Sequence, residues 1–205
     1  MCMKNEKKKK SKRLCSNFWR TLKMVSISFL CFVFIASIVT AGYKMYYSKA
    51  YPIKYEESVR ISSRRHAVEP ALIYAMIKTE SGFQNGAKSR VGARGLMQLM
   101  PQTFTWLQES KHELLSEDSI NDPQINIEYG VYYISMLLQK YADEKTAICA
   151  YNAGPSTVDR WLNDKGCSRD GKSLQNVPFD ETRNYVNKVM KYRKIYRDLY
   201  PEKNL

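Results

Sequence analysis

The feature that most constrains this chain is a stretch of eighteen residues, Met24 to Ala41, with no charged side chain. At a rise of about 1.5 Å per residue, a helix of this length nearly spans a hydrocarbon core of about 30 Å. Lys and Arg side chains precede it from Lys4 to Lys23, and this flank predicts a cytoplasmic N-terminus with the rest translocated. We therefore predict a basic cytoplasmic tail at 1–23, a transmembrane anchor at 24–42 and a short linker at 43–54.

A cleaved signal peptide is the competing interpretation, because Val39-Thr40-Ala41 resembles a small-residue cleavage site. The basic region is long for a signal, and the apolar run is longer than a typical signal core, which favours the anchor. Both interpretations place residues 43–205 outside the cytoplasm. The anchor predicts a single-pass protein of the cell membrane, whereas cleavage near Ala41 predicts a secreted one.

The net charge of +13 belongs mainly to the N-terminal part of the chain. Residues 1–50 hold 11 of the 33 Lys and Arg side chains and one of the 20 acidic ones, which leaves a net charge of +3 from residue 51 onward. A nucleic-acid-binding protein usually carries its basic surface on the folded part. The charge distribution therefore argues against nucleic acid as a partner.

The five cysteines show no spacing typical of a metal site, so we predict no metal. Of the five, Cys149 and Cys167 lie in the exported part and could pair in an oxidising compartment. Cys149 lies within the apolar run Ala147–Ala150, so we favour its being a small core residue.

Apolar spacing of three and four residues dominates the sequence from residue 55 to residue 200, with no hairpin signal, and this predicts an all-α domain. Prolines at 70, 101, 123 and 155 suit first helical turns. Asp180 is expected to cap the last helix. The predicted helices cover 55–66, 70–80, 101–108, 123–141, 143–151, 155–163 and 180–199.

Glu80 is the last residue of the predicted helix 70–80. The residues Ala71 to Ile77 in that helix are apolar on every face, which predicts that the helix is buried all round. A carboxyl group there is partly desolvated, which raises its pKa and keeps it protonated nearer neutral pH. Such an acid can protonate a glycosidic oxygen, but the position alone favours a solvated carboxylate at a helix end. From the residues alone, Glu80 is a possible general acid without an evident second carboxylate.

Four segments together resemble a known family. Residues 71–103 read ALIYAMIKTESGFQNGAKSRVGARGLMQLMPQT, which resembles the signature of the soluble lytic transglycosylases. Three further segments match the family in its order, and the similarity covers residues 55–200: Asn121-Asp122-Pro123 with Asn126-Ile127 and Gly130, then Ala150–Pro155, then Pro178–Val186. The resemblance implies a lysozyme-like domain, preceded here by one transmembrane helix.

The resemblance also implies roles for individual residues. Glu80 matches the catalytic acid/base, and the Tyr151 hydroxyl is expected to position Glu80 or the reacting sugar. Tyr185 is expected to pack in the core. The residues that match substrate-binding positions are Ser81, Ser89, Met97, Gln98, Tyr151, Asn152 and Glu181. For the two serines, Met97 and Glu181, a plain structural role is an equal alternative: loop hydrogen bonding, core packing and a helix-start acid, respectively.

The activity implied by the resemblance is cleavage of the β-1,4 bond between N-acetylmuramic acid and N-acetylglucosamine, leaving a 1,6-anhydro end. The implied partners are peptidoglycan glycan strands and, through the N-terminal helix, the membrane; no metal or cofactor is implied. Two alternatives remain, a goose-type muramidase that hydrolyses the same bond and a non-catalytic wall-binding scaffold.

Overall fold

The computed structural model describes residues 2–201, with the side chains of 2–18 and 21 left out. Most side chains of the predicted basic tail therefore lie outside the described part. The chain divides into two compact units, Met1–Ala50 and Tyr51–Leu205. Within the described residues the helices are α1 (Cys2–Ala50), α2 (Glu56–His66), α3 (Pro70–Glu80), α4 (Pro101–Lys111), a 3-10 helix (Glu117–Asn121), α5 (Pro123–Lys140), α6 (Glu144–Ala153), α7 (Pro155–Leu162) and α8 (Asp180–Leu199).

The first unit is the single helix α1. Its segment Leu22–Ala50 is long and apolar enough to cross a membrane, judged by length and composition, a test that a signal sequence near an N-terminus also passes. Large apolar side chains such as Met24 and Phe32 are each 69% exposed. The helix continues through Tyr43–Ala50, so most of the segment predicted as a linker is helical.

The second unit is all-α, which confirms the predicted fold class, and each predicted helix is present. Pro70, Pro101, Pro123 and Pro155 all occupy first turns, as expected. The 3-10 helix Glu117–Asn121 was not predicted. The prediction that Asp180 caps α8 is wrong: Phe179 occupies the N-cap position, and the Asp180 carboxylate instead pairs with Arg183 one turn later.

Helix α3 forms the centre of this unit. Its residues Ala71 to Ile77 are all at most 1% exposed, as the apolar run predicts. It packs against α8 and α2, while α5 packs against α2 and α6. Because the helix is enclosed, its last residue, Glu80, emerges from the core rather than from a solvated surface.

Tyrosines at the end of α8 and just after it hold the start of the second unit. The Tyr196 hydroxyl donates to the Pro52 carbonyl at 3.3 Å, and the Tyr200 hydroxyl donates to the Tyr51 carbonyl at 2.7 Å. The Tyr51 ring packs edge-on against Tyr192 and Tyr196, with centroids 5.4 and 5.8 Å apart. These contacts fix the first residues after α1 to the end of the last helix.

The two cysteines of the second unit are both buried and free, so they do not form the disulfide that their compartment would allow. Cys149 is 1% exposed within α6, which confirms its prediction as a small core residue.

Candidate active site

Glu80 is the last residue of α3 and is partly buried. Its Oε1 atom accepts a hydrogen bond of 2.7 Å from the Tyr185 hydroxyl, which α8 carries to the end of α3. Burial raises the pKa of Glu80 to about 7, and the hydrogen bond from Tyr185 opposes this rise. A carboxyl group with this pKa can donate a proton near neutral pH and can afterwards take one back.

Two tyrosines lie beside this carboxyl. Tyr185 is 7% exposed, which confirms its predicted burial, but its hydrogen bond to Glu80 was not predicted. Tyr151, which was expected to position Glu80 or the sugar, donates its hydroxyl to the Met97 carbonyl at 2.9 Å. Burial, and then the charge of Glu80, raise the pKa of Tyr151, so its hydroxyl also lies in the carboxyl's surroundings.

The two candidate serines hold the loop that follows α3. The Ser81 hydroxyl lies 2.8 Å from the Leu96 carbonyl oxygen and accepts a hydrogen bond of 3.2 Å from the Phe83 amide. The Ser89 hydroxyl accepts a hydrogen bond of 3.0 Å from the Ala93 amide. Both side chains therefore have the structural role that the sequence left open.

Met97 and Gln98 are placed differently in the same loop. Met97 is 0% exposed and packs in the core against α5. The packing is close, since a Cβ atom added at Gly130 of α5 would lie 2.5 Å from the Met97 sulfur. The Gln98 amide nitrogen donates to the carbonyls of Ala87 and Gly95 at 3.1 and 2.9 Å. These two hydrogen bonds occupy the nitrogen of the Gln98 side-chain amide. The amide oxygen is the atom that can accept a hydrogen bond from a sugar hydroxyl.

Asn126 in α5 positions this loop, a role that sequence reasoning missed. The Asn126 side chain is 0% exposed; its Oδ1 accepts from the Met97 amide at 2.8 Å, and its Nδ2 donates to the carbonyls of Arg94 and Ile120 at 3.0 and 2.8 Å. Gly95, at a φ of +80°, leaves the room for it, since a Cβ there would lie 2.2 Å from Nδ2. A polar residue beside Ile127 on an otherwise apolar helix stripe was the available signal.

Asn152 and Glu181 come together at a separate part of the site. Both line a pocket of about 460 Å³ formed by the end of α6 and the start of α8. Glu181 is exposed and lies one helical turn before Tyr185, so the two share a face of α8. The pocket is therefore a neighbour, along α8, of the Tyr185–Glu80 contact.

Comparison with known proteins places the chain in a family. Residues 57–173 match the family model described as the transglycosylase SLT domain, and residues 176–204 match the soluble lytic transglycosylase helical domain. The chain belongs to the SLT transglycosylase family, as the sequence motifs predicted.

Several relatives are similar over about 70% of this chain. The soluble lytic murein transglycosylase of Escherichia coli (strain K12) is 32% identical over 151 residues, which cover 72% of this chain and 23% of that one. The membrane-bound lytic murein transglycosylase C of Shigella sonnei is 34% identical over 167 residues, covering 70% and 46%. The chain spans about a quarter of the length of its soluble relatives.

Among solved structures, the lytic transglycosylase Slt of Pseudomonas aeruginosa, in an inactive glutamate-to-glutamine mutant, matches with a TM-score of 0.63. The sequence identity is 32%, and the match covers 72% of this chain and 24% of that one. The fold of the second unit is therefore that of lytic transglycosylases.

Proposed function

We propose that this chain is a membrane-anchored lytic transglycosylase that cuts the β-1,4 bond between N-acetylmuramic acid and N-acetylglucosamine in peptidoglycan. The observation that carries the proposal is Glu80, a carboxyl group with its pKa raised to about 7, at the position that the family's motif gives to the catalytic acid/base. The names of the similar proteins, all lytic murein transglycosylases, support the same substrate.

The proposed reaction needs one carboxyl group. Protonated Glu80 gives its proton to the bridging oxygen as the bond from that oxygen to C1 of the muramic acid breaks, and the sugar's N-acetyl group supports the charge on C1. The Glu80 carboxylate then takes the proton from the C6 hydroxyl of the same sugar, and O6 bonds to C1. The product is a 1,6-anhydro ring, and neither water, metal nor cofactor takes part.

We assign the remaining site residues as follows. The Gln98 oxygen, Asn152 and Glu181 bind the glycan strand or its attached groups. Tyr151 and Met97 act indirectly, because they support the loop that borders the site. Ser81 holds the start of that loop and Ser89 its middle, and we propose that their hydroxyls also contact the strand.

We further propose that α1 anchors the protein in the cell membrane, with the N-terminus in the cytoplasm and the catalytic unit outside. The basic flank supports this orientation, and the similarity to a membrane-bound relative supports anchoring. The anchored enzyme acts on the glycan strands of the wall next to its own membrane. If a processing enzyme instead cuts near Ala41, the mature N-terminus will be found there by sequencing.

The nature of the products tests the activity. Purified peptidoglycan incubated with the full chain in detergent should yield fragments with 1,6-anhydromuramic ends, which weigh one water less than hydrolysis products. Mass spectrometry separates the two. Free reducing ends would make the protein a goose-type muramidase, and undigested material that still binds the protein would make it a wall-binding scaffold.

The Tyr185–Glu80 hydrogen bond gives a further prediction. In Tyr185→Phe, Glu80 loses a donor that stabilises its carboxylate, so its pKa should rise further above 7. Because the first step needs protonated Glu80, the alkaline limb of the kcat/KM profile should move to higher pH. The rate at the optimum should fall about tenfold, since the carboxyl is less well oriented.

A purely structural role for Tyr185 would lower activity without moving the profile. Tyr192→Phe, on the same helix but in the Tyr51 cluster, is the matched control and should keep the wild-type pH dependence.

A further inference from the structure

Phe179 is an exposed aromatic side chain in the wall of the pocket that Asn152 and Glu181 share. It is 56% exposed. The other lining residues are mostly polar or small: Asn152, Ala153, Pro178, Asp180, Glu181 and Thr182. A concave surface of about 460 Å³ with one aromatic face and several hydrogen-bonding groups has the size and character of a small-molecule subsite.

The Phe179 ring is held in place before anything binds. The ring of Trp161, in α7, meets it edge to face, with centroids 5.0 Å apart and planes at 87°. Trp161 is itself 8% exposed, so it forms a fixed support. A ring that is immobilised in advance loses little entropy when a ligand packs on it.

The backbone around Phe179 is fixed as well. The Arg183 amide donates to the Phe179 carbonyl at 2.9 Å, and the Arg183 guanidinium donates to the Val177 carbonyl at 2.8 Å. The same guanidinium pairs with the Asp180 carboxylate. Arg183 therefore ties together the segment on both sides of the exposed ring.

The position of Phe179 relative to Glu80 indicates what it would bind. Phe179 precedes Tyr185 by six residues, which is about 9 Å along a helix axis. Glu181 of the pocket precedes Tyr185 by one helical turn, and Tyr185 donates to Glu80, so the pocket lies near this carboxyl but apart from the breaking bond. A glycan strand bound at Glu80 extends beyond the cleaved bond and so presents further sugar rings. The C–H faces of these rings are apolar, and their edges carry hydroxyl and amide groups. The lining of the pocket matches both kinds of surface.

We propose that Phe179, backed by Trp161, is a stacking platform for a pyranose ring of the glycan strand other than the ring whose bond is cleaved. This inference rests on the proposed function for the identity of the strand. In this proposal, Phe179 determines the affinity for long strands. Asn152 and Glu181 line the same pocket and can form hydrogen bonds with the edges of the same sugar ring.

The test separates binding from turnover. In a Glu80→Gln background, the full chain in detergent is titrated with peptide-free glycan strands, and Phe179→Ala should weaken binding about tenfold, because an aromatic contact with its buried area is lost. Phe179→Trp should restore most of the affinity. In the protein with Glu80 intact, Phe179→Ala should raise KM by a similar factor and leave kcat nearly unchanged.

Leu114→Ala is the control for an exposed apolar side chain, since Leu114 is 100% exposed and outside this pocket. Unchanged binding of peptide-free strands by Phe179→Ala would overturn the platform. An effect confined to strands that carry peptides would also overturn it, because the ring would then serve the peptide. If the intact chain releases no anhydro products but the binding loss is still measured, the proposed reaction fails and the platform stands.

Discussion

Replacing Glu80 with Gln should lower the rate of glycan cleavage by about a thousandfold or more, because the same group serves first as acid and then as base. The amide cannot release a proton to the bridging oxygen, yet it keeps the shape of the carboxyl and an oxygen that can accept from Tyr185. Binding of strands should therefore change little while kcat falls. The measurement is the release of soluble fragments from purified sacculi, followed over time.

The same substitution should make the protein more stable above neutral pH. Burial raises the pKa of Glu80 from an ordinary value of 4.5 to about 7, so the folded state binds the proton more tightly than the unfolded state. Stability is then lost as the pH rises from about 4.5 to about 7, by up to about 3 kcal/mol in all. Glu80→Gln removes this loss, so its melting temperature at pH 8 should exceed the wild-type value by about 6–12 °C. At pH 4, where both states of the wild type are protonated, the two proteins should melt alike.

Glu109→Gln, an exposed change in α4, is the control and should alter neither activity nor the pH dependence of melting. Retained sacculus digestion by Glu80→Gln would remove Glu80 from the chemistry. Equal melting of wild type and variant at pH 8 would contradict the desolvated carboxyl, whatever the activity.

Replacing Asn126 with Ala should destabilise the second unit by about 3–5 kcal/mol, because it leaves two buried polar groups without partners and removes one of the two hydrogen bonds that the Arg94 carbonyl accepts. The Met97 amide and the carbonyls of Arg94 and Ile120 all lose their hydrogen bonds to a side chain that is 0% exposed. The melting temperature should fall by about 10 °C or more. Activity measured well below the melting point should fall too, since the loop that carries Gln98 is no longer tied to α5.

Asn187→Ala, at an exposed position of α8, removes the same chemical group from the surface and should shift melting by less than about 2 °C. If Asn126→Ala melted at the same temperature as the control, the loop would depend on other contacts. The hydrogen bonds of Asn126 would then contribute little to the free energy of unfolding.

The sequence predicted the helices of the second unit because their apolar periodicity and first-turn prolines are local signals. The unbroken apolar run Ala71–Ile77 also predicted that Glu80 emerges from the core, and the raised pKa is the direct result. The hydrogen bond from Tyr185 could not be found in this way. Periodicity indicates which face of α8 is buried, but not which hydroxyl on that face meets a side chain 105 residues earlier.

The loop after α3 was the least predictable part of the site. Its backbone includes Phe83 and Gln98 at positive φ, and isolated bridges join Arg94 to Lys88 and Leu99. Such a path is set by tertiary contacts, above all those of Asn126, rather than by a repeating pattern.

The segment predicted as a linker is helical over Tyr43–Ala50 for a simple physical reason. Between Gly42 and Pro52 the sequence contains no residue that stops a helix. Pro52 disfavours helical geometry at the residue before it, and α1 ends just ahead of that residue, at Ala50. The change in side-chain character after residue 42 therefore does not end the helix.

The hydroxyls of Tyr196 and Tyr200 donate hydrogen bonds to the carbonyls of Pro52 and Tyr51. These bonds hold the start of the second unit beside the end of α8. Tyr51, Pro52 and Tyr200 are only partly buried, so sequence can be joined at this corner without repacking the core of the unit. Such a unit can belong to chains of different length, since the match covers 72% of this chain but 23% of the soluble Escherichia coli relative.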